Sequence, residues 1–197
     1  MINPDILSAI IPIIELFEKL DIPYFLTGST ASSTYGLART TMDIDIVTDL
    51  SPYQVVDLVK SLSSNYYLNE NMIFNAIQRR SSFNLIHLET SLKVDIFISK
   101  ERDYDREVFD RRKKEKLDEA DSEKVFYLAS PEDIILNKLE WFKKGGYASE
   151  KQWGDIIGVM KVQRESIDID YLKKWAVNLD VFDLLQKAFL EAGILQN

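Results

Sequence analysis

Apolar positions recur along the first part of this chain at two different periods, and the period assigns the elements. Between Asn3 and Leu20 they fall at Ile6, Ile10, Ile13, Ile14 and Phe17, close to the helical repeat. Pro23 then opens a short strand, Tyr24-Phe25-Leu26, which runs into Thr27-Gly28-Ser29. The small residues Ser29–Ser33 resume a helix that Gly36 ends. Beyond Arg39-Thr40-Thr41 the period changes to two, predicting a strand over Met42–Val47. Ser51-Pro52 caps a third helix reaching Leu62, and Glu70–Arg80 reads as another amphipathic helix. Phe83–Leu88 and Leu92–Ile98 are β-rich runs, joined as a hairpin by Glu89-Thr90-Ser91. Residues 101–118 carry both charge signs densely and read as a solvated helix, and Val125–Leu128 as a last strand. From Ser130 the pattern is helical to the end, with breaks near Gly145-Gly146, Ser166 and Asn178.

The pattern therefore predicts an α/β fold: a short mixed sheet with flanking helices, followed by a C-terminal helical subdomain. The shift in composition at about residue 129 sets the expected division, 1–128 and 129–197. A chain of 197 residues, 46% hydrophobic and 28% charged, has the composition of a soluble globular protein with a real core. No apolar run approaches the ~20 residues that span a bilayer, and Glu15, Glu18 and Lys19 interrupt the longest. No basic leader precedes them, so the expected location is cytoplasmic, without a membrane partner. The absence of cysteine excludes disulfides and thiolate chemistry, and a single histidine, His87, leaves no zinc cluster. A formal charge of −8 argues against binding nucleic acid over the whole surface, while a carboxylate cluster for Mg²⁺ suits it.

In Asp43-Ile44-Asp45-Ile46-Val47 the side chains alternate, so the two isoleucines face one way and the two aspartates the other. Residues two apart on a strand are roughly 6.5 Å apart, close enough for their carboxylates to converge on metal ions about 3.5–4 Å apart. Apolar-Asp-apolar-Asp also describes a half-exposed edge strand. The pattern recurs in Lys93-Val94-Asp95-Ile96-Phe97, where Asp95 stands opposite Val94 and Ile96, as a solvent-facing acid also would. Three aspartates on one sheet face repel one another unless cations compensate, and hard Mg²⁺ prefers such oxygens. Upstream, Gly28-Ser29 stands at a helix start, where a phosphate can approach the backbone; an ordinary strand-to-helix turn has the same sequence.

Strand, Gly-Ser, helix, an Asp-x-Asp strand fourteen residues past Ser29 and a third strand aspartate follow in order. Over residues 20–100 this resembles the DNA polymerase β-like nucleotidyltransferase superfamily. The resemblance implies that Gly28 and Ser29 hold an NTP triphosphate, ATP being one such donor. Asp43, Asp45 and Asp95 would be the catalytic, metal-binding acids, with two Mg²⁺ ions (Mn²⁺ as the alternative) and Asp95 helping to activate the attacking hydroxyl. Arg39-Thr40-Thr41-Met42-Asp43-Ile44-Asp45, and the Ser-Pro-Glu-Asp helix Ser130–Lys138, are similar to nucleotidyltransferases related to abortive-infection toxins. Where that group carries a Lys-Asp pair and a second acid, this chain has Asp155 and then Gly158; as a whole it resembles a compact bacterial group of nucleotidyltransferases. The reaction implied moves a nucleoside monophosphate from an NTP to an acceptor hydroxyl, on RNA, a protein or a small molecule. A toxin–antitoxin-type protein partner is a further expectation of that resemblance, and a degenerate nucleotide-binding or protein-interaction module is the alternative.

Several residues carry two readings. Arg39 contacts the triphosphate or pairs with a surface acid. Lys138, a helical turn from Ile134 and Trp141, reaches a phosphate or snorkels along an apolar face. Lys93, on the face of Asp95, neutralises the cluster, touches a phosphate or does neither. His87 is expected as an ordinary sheet residue, with a place on the face of Asp95 as its catalytic alternative. Arg111-Arg112-Lys113-Lys114 binds an RNA backbone or, the favoured reading, belongs to the salt-bridged solvated helix. The three tryptophans, Trp141, Trp153 and Trp175, are read as packing residues of the helical tail.

Overall fold

A computed structural model describes residues 3–37, 43–117 and 124–194. Helix α1 (Pro4–Lys19) starts where the Asn3 side chain accepts from the Asp5 N–H at 2.9 Å, with proline in the first turn. Strand β1 (Tyr24–Thr27) is buried at every position. Helix α2 (Gly28–Tyr35) follows without a loop, and Gly36 N–H closes it on Ser32 C=O at 2.9 Å. Strand β2 (Ile44–Thr48) alternates between buried and half-buried side chains. A 3₁₀ turn, Pro52–Gln54, leads into α3 (Val55–Leu62), and strand β3 (Tyr66–Tyr67) comes before α4 (Glu70–Arg79). The hairpin strands β4 (Ser82–His87) and β5 (Lys93–Ile98) then precede α5 (Asp103–Arg111), β6 (Lys113–Glu115) and β7 (Phe126–Leu128).

Among the described residues these strands form one seven-stranded sheet in the order β3-β4-β5-β2-β1-β7-β6. Pairing is parallel for β2 with β5 and for β1 with β7, and antiparallel elsewhere, so the sheet is mixed. Place in this order explains burial: β1 lies inside it with strands on both sides and carries no polar alternation. Ile44 and Ile46 of β2, with Val94 and Ile96 of β5, turn to one face and are essentially inaccessible. On that face Tyr66 donates its hydroxyl to Ala9 C=O of α1 at 3.0 Å.

Two strands were not legible from periodicity. β3 and β6 have two and three residues, too few to display a repeat of two. The charged stretch expected as one helix is divided: α5 ends at Arg111, Arg112 turns extended (φ −55°, ψ 140°), and Lys113-Lys114-Glu115 pairs with β7 at the sheet edge. Tyr104 and Val108 anchor α5 by burial, whereas the residues after it lack an apolar stripe and suit a charged edge strand. The basic run is thus not a continuous solvated helix. Its Arg112 guanidinium stacks 4.5 Å from the Tyr127 ring centre and donates to Phe109 C=O at 2.7 Å, and Lys114 lies 5.2 Å from the same ring.

The chain divides into two compact units, Met1–Thr30 with Thr40–Leu128, and Ala31–Arg39 with Ala129–Asn197. The second contains α6 (Pro131–Lys144), α7 (Glu150–Val162), α8 (Ile169–Asn178) and α9 (Phe182–Ala192). Ser130, Ser149 and Asp168 cap α6, α7 and α8 by accepting from the N–H of Asp133, Gln152 and Tyr171. Within this unit Gln163 donates to Tyr35 C=O at 2.9 Å, so the end of α2 is tied to α7. No described helix is long and apolar enough to cross a membrane.

Candidate active site

The chemistry-bearing residues of the sheet unit are gathered by register. In the parallel β2–β5 pair Asp45 lies directly beside Asp95. Across the neighbouring antiparallel pairs Thr27 of β1 stands opposite Asp45, and Asn84 of β4 opposite Asp95. Directly opposed residues share a face, so one row reads Thr27, Asp45, Asp95, Asn84. Asp43, one residue before β2, has the parity of Asp45. Thr30 of α2 donates its hydroxyl to Asp43 C=O at 3.3 Å, fixing the chain where the acidic strand begins.

Gly28 closes the other side. It adopts φ +62°, and a Cβ there would lie 1.9 Å from Asp45 Oδ2. The carboxylate therefore rests against the bare backbone that begins α2, a helix start whose partial positive charge favours an anion. Only glycine meets both demands, a left-handed backbone and no side chain. Ser29, next along, is buried.

Lys93 supplies the positive charge of this face. Its ammonium is 2.7 Å from Asp95 Oδ2. That hydrogen bond raises the Lys93 pKa above its ordinary value; burial opposes the shift, and the charges of Asp95, Asp43 and Asp45 add to it. The four side chains thus form one electrostatic group. Carboxylate oxygens on adjacent strands are the donors that a hard divalent ion takes. Among the described residues, however, no three His, Cys, Asp or Glu side chains are drawn closely enough together to hold a metal ion.

The remaining expected site residues fall elsewhere. Arg39 lies outside the described residues. Lys138, in α6, neither snorkels nor stands open: its ammonium is 2.8 Å from Asp155 Oδ2 of α7, with side chains only 10% and 8% exposed. Gly158, a turn after Asp155, packs against Leu37, which a Cβ would meet at 3.4–3.6 Å. His87 is on the opposite face from Asp95, because Asn84 takes the opposed position and His87 is three residues on. It is buried there against the Tyr66 ring, 5.1 Å between centres, with Nδ1 2.9 Å from the Thr90 hydroxyl. The alternative of a catalytic histidine is thereby excluded, and the ordinary sheet position holds. Asn84 and Thr27 were missed: counting outward from the expected Glu89-Thr90-Ser91 turn sets Leu85 opposite Asp95, one residue off the observed register that pairs Asn84 with Asp95, and Thr27 needs the β1–β2 pairing.

A mixed sheet with two acids abreast on its middle strands, a glycine turn at the start of a helix beside them and a helical unit after it defines a nucleotidyltransferase-type α/β fold. Two solved structures share that fold at TM-scores above 0.5. An antigenic nucleotidyltransferase-like protein from Paracoccidioides brasiliensis is similar at a TM-score of 0.54 and 16% identity, over 95% of this chain and 93% of that one. The antibiotic-resistance factor ANT(2'')-Ia is similar at 0.52 and 10% identity, over 96% and 94%. A lincomycin-bound lincosamide antibiotic adenylyltransferase, LnuA, gives 0.47 and 18% identity, over 82% and 98%. No protein-family model matches the chain, and no curated protein matches it.

Proposed function

We propose that this protein transfers a nucleoside monophosphate from an NTP to an acceptor hydroxyl, releasing pyrophosphate. The observation that carries the reading is the register pair Asp45–Asp95, with Gly28 pressed against Asp45. Asp43, Asp45 and Asp95 would hold two Mg²⁺ ions, which when bound neutralise charge on the transferring phosphate. The backbone at Gly28-Ser29 receives the triphosphate, the free N–H groups of a helix start favouring its charge. Asp95 accepts the proton of the acceptor hydroxyl. Arg39 and Lys138 are assigned to the triphosphate in the same reading, with Asp155 positioning Lys138. Most of the acceleration then comes from holding the reacting groups in line.

The similarity to abortive-infection-type enzymes rests on Arg39–Asp45 and Ser130–Lys138 and carries the toxin–antitoxin-type partner as part of the proposal, while the cytoplasmic location is proposed from the soluble-globular composition. A degenerate nucleotide-binding or protein-interaction module is the second reading. It is favoured by one observation, the lack of a tight ligand cage among the described acids. Incubation with each α-labelled NTP, Mg²⁺ or Mn²⁺ and cell extract separates the two. Label transferred by wild-type protein and lost in Asp45→Asn is the expected result. No transfer from any NTP, or transfer that survives Asp45→Asn, overturns the enzyme reading.

A further inference from the structure

The basic run Arg111–Lys114 locally reverses the sign of a chain whose net charge is −8. The fold puts this run at a boundary of the sheet. Strand β6 is the outermost strand, beyond β7, and among the described residues neither Lys113 nor Lys114 makes a backbone hydrogen bond outside that pairing. Its outer backbone groups are therefore open to another extended chain. Lys114 stands opposite Tyr127, and Arg112 comes to the same ring: guanidinium and ammonium lie 4.5 and 5.2 Å from its centre. Two cations thus share one face of the edge, with Arg112 fixed there by its bond to Phe109 C=O. Lys113, one residue along, belongs to the other face, beside Leu128. A second copy of β6 would set lysine against lysine, which disfavours pairing. A strand laid along β6 lies about 4.8 Å away, so acidic side chains at every second position reach both cations. The negative charge elsewhere on the chain counts little there, because screening at physiological salt acts over about 8 Å.

We propose that the edge of β6 is a docking strand for an extended acidic segment of a partner protein. The partner's backbone extends the sheet past β6, main-chain hydrogen bonds supply the adhesion, and carboxylates at alternate positions select the Arg112–Lys114 face. RNA would meet the same cations but has no strand of alternating N–H and C=O groups to pair with the edge. The surface lies on the far side of β1 and β7 from the acids of β2 and is independent of the nucleotidyl-transfer reading.

The test is fluorescence anisotropy of a short labelled peptide alternating glutamate and threonine, with the intact chain and its variants. Wild-type protein should bind it. Reversing a contact charge in Lys114→Glu should weaken binding by about tenfold or more. Lys114→Arg should bind as wild type does. Lys113→Glu makes the same change of charge on the other face and should weaken binding by less than about threefold. Lys60→Glu, at an exposed position of α3, should leave it unchanged. Lys113 and Lys114 are exposed, so their variants should melt with wild-type protein. The same peptide with every backbone nitrogen methylated should not bind, because it cannot donate to the edge. No binding by wild-type protein, undiminished binding by Lys114→Glu or of the methylated peptide, or equal weakening in Lys113→Glu or Lys60→Glu overturns the inference. So does an oligouridylate that binds more tightly than the peptide and is lost in Lys114→Glu, which would make the run a nucleic-acid site.

Discussion

A single methyl group distinguishes two glycines with nearly the same backbone. Gly28 and Gly146 both adopt positive φ, +62° and +70°, but a Cβ at Gly146 meets nothing within 4 Å while at Gly28 it meets Asp45 Oδ2 at 1.9 Å. Gly146→Ala should cost only the left-handed backbone, about 1–2 kcal/mol. Gly28→Ala adds a clash with a carboxylate that must move, and should cost about 2–4 kcal/mol. Urea unfolding of both variants decides it: equal losses would mean that Asp45 is not held against the turn. The acids should behave differently. Asp45→Asn removes one of three like charges and should keep metal-free stability within about 1 kcal/mol of wild type. Its melting temperature should no longer rise with Mg²⁺-NTP as that of wild-type protein does. Asp95→Asn loses the Lys93 partner as well, but that pair is exposed and should cost no more than about 0.5 kcal/mol.

Helix α6 concentrates polar groups that the apolar pattern leaves unexplained. Its buried Asp133 accepts from the Ser130 hydroxyl at 2.6 Å and the Tyr171 hydroxyl at 2.7 Å, so the first turn of α6 is locked to α8. Tyr171→Phe should therefore cost about 1–2 kcal/mol in chemical denaturation, through a buried carboxylate that loses a donor. One face further on, Lys138 and Asp155 join α6 to α7 as a nearly buried ion pair. Lys138→Met strands the Asp155 charge and should lose about 2–4 kcal/mol. Adding Asp155→Asn should return part of that loss. A coupling below about 0.5 kcal/mol in the double-mutant cycle would show the two groups to be independent.

For the whole molecule, the resolved pKa shifts of buried tyrosines act in one direction. Burial raises Tyr66, and burial followed by the neighbouring Glu18 carboxylate raises Tyr24, both above the ordinary value near 10. Above that pH the unfolded chain releases these protons while the folded chain retains them, so unfolding is favoured progressively. The contribution is complete below the unfolded value and is lost as pH rises toward the folded ones. Melting temperature should fall between pH 9 and 12, and Tyr66→Phe should make that fall shallower while lowering stability at pH 7 through loss of the bond to Ala9. An unchanged slope in Tyr66→Phe would mean that Tyr66 ionises alike in both states.

Local physics fixed much of this in the sequence. The alternation Asp43-Ile44-Asp45-Ile46 placed both acids on one side, because a strand's side-chain period is two whatever lies beside it. Ser130-Pro131 with Asp133 marked the start of α6, because helix caps are met within one turn. Pairing is not local, and the tertiary structure decided what depends on it. That Asp45 lies beside Asp95, and that Asn84 rather than His87 faces the acids, follows from register between segments far apart in sequence. The strands β3 and β6 exist only because a neighbour supplies their hydrogen bonds. The Lys138 ammonium meets Asp155 because α6 and α7 pack together, which neither helix encodes alone. Residue spacing sets which way a side chain points; only the folded chain sets what it meets.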